Sequence, residues 1–195
     1  MHGTINFALQ GFLKDNYGLE VWEEVRRVGN LPEDGFEAME TYDHALTLAC
    51  VQAAVKVLGK SPNAFLEDLG TFLVINPNLE PLRRLLRFGG ADFVEFLHSL
   101  EEWPARARLA LPEIEVPRIR LIPEGPGDYM IAARWVLPGI APVLLGTLRA
   151  MADDYGALVV LSLAGVRDGE ECLRVQVFDA AFCEGRSFSL VQVEA

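Results

Sequence analysis

Basic side chains are in short supply: 17 lysines and arginines stand against 28 aspartates and glutamates, a formal net charge of −11. A nucleic-acid backbone is held by clustered cations that release its counterions, so this balance argues against such a partner and suits a soluble acidic globule. Histidine and cysteine are as sparse, with three of each. His2, His44 and His98 are dispersed and have no Cys or His neighbour at metal-ligand spacing, which argues against a zinc site. Cys50, Cys172 and Cys183 are odd in number and form no C-x-x-C, so they read as reduced structural thiols of a cytoplasmic protein. No apolar stretch approaches the roughly 20 residues that span a bilayer. The longest, residues 140–148, contains Pro142 and Gly146. The first residues lack a basic segment leading into an apolar run, so they do not form a signal peptide.

Motifs of catalysis are missing as well. The chain has no G-x-G-x-x-G, no P-loop, no G-x-S-x-G and no H-E-x-x-H. The adjacent carboxylates Glu23-Glu24, Asp153-Asp154 and Glu170-Glu171 fall in polar stretches and are expected to be solvated. Acid–base work needs burial to shift their pKa, so no enzyme is expected.

What remains is a well-patterned globule, 51% hydrophobic and 23% charged. Its length suits one domain with a sizeable core. The strongest pattern is FVEFLHSLEEWPARARLALP, residues 93–112, in which Phe93, Phe96, Leu97, Leu100, Trp103 and Ala107 recur at helical spacing. Pro104 interrupts it, so the helix is expected to kink at Trp103 or restart there. Ahead of this stretch, helices are expected over 4–15, 19–28, 43–58, 62–74 and 79–88. Their stops and starts are Asn16-Tyr17-Gly18, Ser61-Pro62 and Asn76-Pro77. The segment 43–58 is apolar on most sides and is expected to be central.

After Pro112 the period changes to two. Strands are expected over 118–122 and 129–135, a helix over 140–155, a hairpin of 157–163 with 172–178, and an edge strand over 187–193. The fold class is therefore α+β in a single domain, 1–195, with a helical part (1–111) followed by a β-β-α-β-β part (112–195) built on an antiparallel sheet with a packed helix.

Met1-x-Gly3-x-Ile5-Asn6-x-x-Leu9, Asn16-Tyr17-Gly18-x-Glu20-x-Trp22-Glu23, Tyr42-Asp43, Phe96-Leu97-x-x-Leu100, Pro112 to Pro117, Gly139-Ile140 and Gly146 together closely resemble the H-NOX domain. This is the haem-nitric oxide/oxygen binding domain of bacterial gas sensors and soluble guanylate cyclase, and the resemblance covers nearly the whole chain. It implies haem between a helical and an α/β part, bound through a histidine on the helix before the two prolines. It also implies a Tyr-x-Ser-x-Arg strand motif holding the propionates.

Matched without a gap, the histidine position falls on Pro104 beside Trp103, and the motif falls on Ala133-Arg134-Trp135-Val136-Leu137. Ala133, Trp135 and Leu137 supply none of the three polar anchors, and Arg134 should face the other side of the strand. Trp103, Pro104, Ala133, Trp135 and Leu137 are therefore candidate lining of an apolar pocket, or residues that fill it. The expectation is a stand-alone, non-enzymatic sensor with no haem cofactor of the family kind. Its signal is an apolar small molecule or a protein partner, a histidine kinase or cyclic-dinucleotide enzyme by resemblance. The alternative is a haem sensor of NO or O2 with His98, His2 or a cysteine on the iron. His98 and His44 read as surface or capping residues, and His2 as partly buried.

Overall fold

The computed structural model describes residues 1–110 and 113–178. Each early helix starts where local chemistry satisfies its free N–H groups. Helix α1, Gly3–Tyr17, follows His2, whose Nδ1 accepts from Thr4 N at 3.3 Å. Helix α2 is Leu19–Val28. Asp43 Oδ1 accepts from Ala45 N at 2.8 Å to open α3, His44–Leu58. Ser61 Oγ accepts from Ala64 N at 3.2 Å, with Pro62 following, to open α4, Pro62–Ile75. A short turn, Pro77–Leu79, leads into α5, Glu80–Arg87.

The expected break at Pro104 is present. Helix α6, Phe93–Ser99, ends, and the chain restarts as α7, Trp103–Ala110. Pro104 thus lies in a first turn, where its missing N–H has no intrahelical partner to lose.

Strand β1, Arg118–Gly125, and β2, Asp128–Arg134, precede α8, Ile140–Tyr155, which is followed by β3, Leu158–Arg167, and β4, Glu170–Phe178. All neighbours in the sheet, ordered β1-β2-β4-β3, are antiparallel. The register pairs Ile119 with Ala133, Ile131 with Leu173, and Leu163 with Leu173. Alternation therefore turns Ile119, Ile131, Ala133, Leu173 and Val175 toward the core shared with α8. The edge strand expected over 187–193 lies outside the described residues.

Two apolar cores result. Phe12, Trp22, Phe36 and Phe65 fill the helical part, and Phe96, Leu97, Ile131, Leu148, Met151 and Leu173 fill the space between α6, α8 and the sheet. Helices α4 and α8 join them, crossing at Gly70 and Gly146. A side chain at Gly70 would run into the Val143 carbonyl, and one at Gly146 into that of Glu67. Across the crossing, Thr147 Oγ1 donates to Gly70 O at 3.3 Å and Thr71 Oγ1 to Gly146 O at 3.4 Å.

Three expectations are corrected. Helix α3 is not central: its apolar residues are mostly half-buried on the outside of the helical part, and only Thr47, Cys50, Ala53 and Ala54 are buried. The central helix is α8, with 12 of its 16 residues buried. Asp154 is not solvated but buried, taking both arms of Arg83 at 2.5 Å and so tying α5 to the end of α8. Glu171 is not a free surface carboxylate either. From β4 it accepts from Gly139 N at 2.6 Å and Ala141 N at 2.9 Å, and so caps the positive end of α8.

Candidate functional site

Trp103 and Pro104 open α7, Ala133 is the last buried residue of β2, and Trp135 and Leu137 lie on the segment from β2 to α8. The structure packs Trp103, Ala133 and Trp135 against one apolar cluster with Phe96, Leu97, Leu100 and Ile119. Pro104 and Leu137 are buried too. Three of the five positions are therefore interior, and the two tryptophans are partly buried at the edge of the cluster. They present two polar atoms, the indole nitrogens of the tryptophans. Trp103 Nε1 is shut off from solvent and has no acceptor among the described residues. Trp135 Nε1 donates to the Glu115 carbonyl at 3.2 Å.

Glu115 is the residue that the sequence did not reveal. It sits in the loop after α7, and its Oε2 lies 2.8 Å from His44 Nε2 and 3.2 Å from the amino nitrogen of Met1. That nitrogen also donates to Tyr42 O at 2.8 Å. One loop is thereby fastened to α1, to the start of α3 and to Trp135. Its partners are 71 and 20 residues away in sequence, so no spacing signal marks it.

The hydrogen bond with His44 holds the Glu115 carboxyl below the usual carboxylate range; partial burial opposes the shift, and the Met1 ammonium adds to it. A carboxylate whose pKa falls on folding stabilises the fold fully above its unfolded pKa, about 4.3, and loses that contribution as pH drops through the lowered folded value. The side chain is 42% exposed, so the contribution is expected to stay below about 1 kcal/mol. Glu115→Gln should melt lower than the wild type at pH 7, and the gap should close below about pH 4. Calorimetry across that range checks it. A gap that persists at low pH would rule out the carboxylate as the source.

The remaining candidates do not converge on the five positions. His2 is 8% exposed, with Nδ1 spent on the α1 cap. His98 is exposed and meets Tyr129 edge-on at 5.8 Å. Arg134 is exposed, faces away from Ala133 as expected, and donates through Nη2 to Asp168 O at 2.7 Å. Cys50 is fully buried, and burial pushes its thiol up to about 12. Cys172 is buried on the far side of the sheet, and Cys183 lies outside the described residues.

Among the described residues, no three His, Cys, Asp or Glu side chains are grouped to hold a metal ion, and no helix is long and apolar enough to cross a membrane. Two surface clefts lie elsewhere. One of about 350 Å³ is lined by Tyr17, Asp68 and Phe72, and one of about 200 Å³ by Val74, Pro77 and Arg83.

A helical half seamed to a four-stranded antiparallel sheet, with a helix broken ahead of Trp103, defines an α+β domain. The family model for haem-NO-binding domains matches residues 2–162, and the chain belongs to that family. Its fold is that of solved H-NOX proteins. The Fe(II) unliganded protein from K. algicida superposes with a TM-score of 0.78 at 16% identity, over 94% of this chain and 100% of that one. The Fe(II)NO form from S. oneidensis gives 0.75 at 16%, over 92% and 100%.

Similar curated proteins include soluble guanylate cyclase gcy-31 of Caenorhabditis elegans, 24% identical across 85% of this chain, and soluble guanylate cyclase 89Da of Drosophila melanogaster, 20% identical across 82%. The chain spans about a quarter of the length of each, 24% in both cases. At the positions that the family resemblance matches to the histidine and the propionate clamp, the residues present do not offer the donors for a haem held in that way. Pro104 has no side-chain donor atom, Ala133 and Leu137 are apolar, and the Trp135 indole is already engaged by Glu115.

Proposed function

We propose that this chain is a sensory or regulatory H-NOX domain that does not hold haem in the family's manner and acts through a protein partner. The observation that supports this reading is that Pro104, which the family resemblance matches to the iron ligand, is buried and has no side-chain donor, while the positions matched to the clamp have no polar anchor to spare. Two buried carboxylates with neither partner nor iron bond would remain desolvated, which opposes binding. The family frame around them is intact, and that argues for a retained signalling role. Its resemblance to sensor domains favours a histidine kinase or a cyclic-dinucleotide enzyme as the partner, with catalysis residing there and not in this domain.

One observation favours a second input. An indole N–H buried without an acceptor is costly, and Trp103 Nε1 has none among the described residues. A small apolar molecule carrying one hydrogen-bond acceptor suits it.

The test is an absorption spectrum, with iron quantified, of protein purified from haem-supplemented cells, followed by native mass spectrometry. A flat Soret region without iron supports the reading. A Soret band with stoichiometric iron overturns it and assigns the iron to a ligand outside the family pattern, to be sought first at His98 and His2. A co-purifying organic mass that is lost in Trp103→Phe supports the second input.

A further inference from the structure

Helix α8 covers one face of the sheet. The opposite face has exposed arginines in a chain otherwise dominated by acid. Alternation sends Arg118 and Arg120 of β1, Arg134 of β2, Arg174 of β4 and Arg167 of β3 to this side, and all five are exposed. The register does more than cluster them. Arg118 faces Arg134 directly, Arg167 faces Glu170 directly, and Arg134 lies one residue past the Ala133–Glu171 pair. Arg118, Arg134, Glu170 and Arg167 therefore form a row across all four strands, with neighbours spaced about 4.8 Å apart.

The local carboxylates do not neutralise the row. Glu170 is bonded to Arg120, and Glu124 is taken by Arg174 at 3.0 Å. Arg118 and Arg167 have no ion-pair partner among the described residues. Arg134 spends Nη2 on a backbone carbonyl, and the carboxylate it faces in register, Glu170, is already engaged by Arg120. Four guanidinium groups (Arg118, Arg120, Arg134 and Arg167) thus meet three carboxylates (Glu170, Asp168 and Glu101, the last beside Arg120) on a molecule of net charge −11. Beside the row lies an apolar strip, floored by buried Met130, Ala132 and Cys172 and flanked by Ile122 and Val160, 38% and 50% exposed.

We propose that this face docks an acidic segment of a partner protein, with carboxylates on the arginine row and apolar side chains on the strip. Guanidinium groups pair carboxylates in a bidentate fork, and a row of them selects an anionic stretch of matching spacing. A nucleic acid is disfavoured by the same geometry. The row is only about 15 Å long, and a polyphosphate overrunning it would meet the acidic remainder of the surface within about one Debye length. A short acidic peptide confines its charge to the row. The proposal rests on the reading that the domain acts through a partner and is independent of whether it holds haem.

The probe is fluorescein-labelled decaglutamate, followed by anisotropy at low salt against the full chain. Saturable binding is expected, weakening at least about tenfold toward physiological salt and above, as screening removes steering and pairing. Arg118→Glu/Arg134→Glu/Arg167→Glu should weaken it at least about tenfold, and the milder triple glutamine variant should weaken it in the same direction. Arg26→Glu/Arg84→Glu/Arg106→Glu makes the same change in net charge at arginines already paired along their own helices, and should stay within about twofold.

No binding by the wild type overturns the proposal, as does equal loss in both glutamate triples with circular dichroism showing folded protein. Tighter capture of a ten-residue oligothymidylate than of decaglutamate, lost in the same triple, also overturns it in favour of nucleic acid. The haem spectrum reports separately on the reading of the pocket, so the two failures are distinguishable.

Discussion

Gly146→Ala is expected to lower Tm by about 6–12 °C. The added carbon would run into the Glu67 carbonyl oxygen, and the Thr71 amide lies 2.8 Å away. Both obstacles are backbone, so no rotamer change relieves them and the α4–α8 crossing must spread. Overpacking against a fixed backbone belongs at the upper end of its usual cost, about 3 kcal/mol, and each kcal/mol moves a domain of this size by roughly 2–4 °C. Separation would also stretch the two hydroxyl bonds from Thr71 and Thr147 that span the crossing. Gly11→Ala is the matched control. It lies within α1, a Cβ there meets nothing within 4 Å, and helix propensity favours alanine by up to about 1 kcal/mol. A melting curve for Gly146→Ala that overlays the wild type would refute the crossing as described.

Pro104→His, taken alone, should leave the protein without tight haem binding. The substitution supplies an imidazole at the position that the family resemblance matches to the iron ligand and releases the ring constraint on the first turn of α7. What it does not supply is anything for two propionates. Ala133 and Leu137 offer no donor, and the Trp135 N–H is already given to the loop that bears the ionised Glu115. A like charge near an incoming carboxylate adds to its desolvation cost. In titrations followed at the Soret band, weak and unsaturated binding is the expected result. Stoichiometric haem with a sharp five-coordinate ferrous spectrum from this variant would show that the clamp is dispensable in this chain.

The helices were legible wherever their boundaries are written in local chemistry. Asp43, Ser61-Pro62, Gly18 and Pro104 act within a few residues of themselves, and each start or stop expected from them is observed. The sheet was legible because its side-chain period is two and one face is buried, although β1 runs on to Gly125, three residues past the expected end. Position in the fold was less legible. The segment that became α3 is as apolar as an interior helix, yet the helical part is thin enough to leave most of it half-buried.

Charged residues were misjudged for a common reason. Asp154 and Glu171 find their partners 71 and about 30 residues away, and composition alone does not show which carboxylate is drawn inward. The five site positions were legible only through family resemblance, since nothing in their own pattern separates them from ordinary core. The tie from Glu115 to His44 joins a loop to the start of α3 across 71 residues, and no sequence spacing marks it.

The crossing of α4 and α8 bears on how such a domain diverges. Its tightest points are Gly70 and Gly146, with Glu67, Thr71, Val143 and Thr147 around them. The positions that the family resemblance matches to the cofactor grip, 104, 133, 135 and 137, fall outside that set. Substitution at those positions therefore leaves the seam untouched, and the frame can be inherited whatever fills the space beside Trp103.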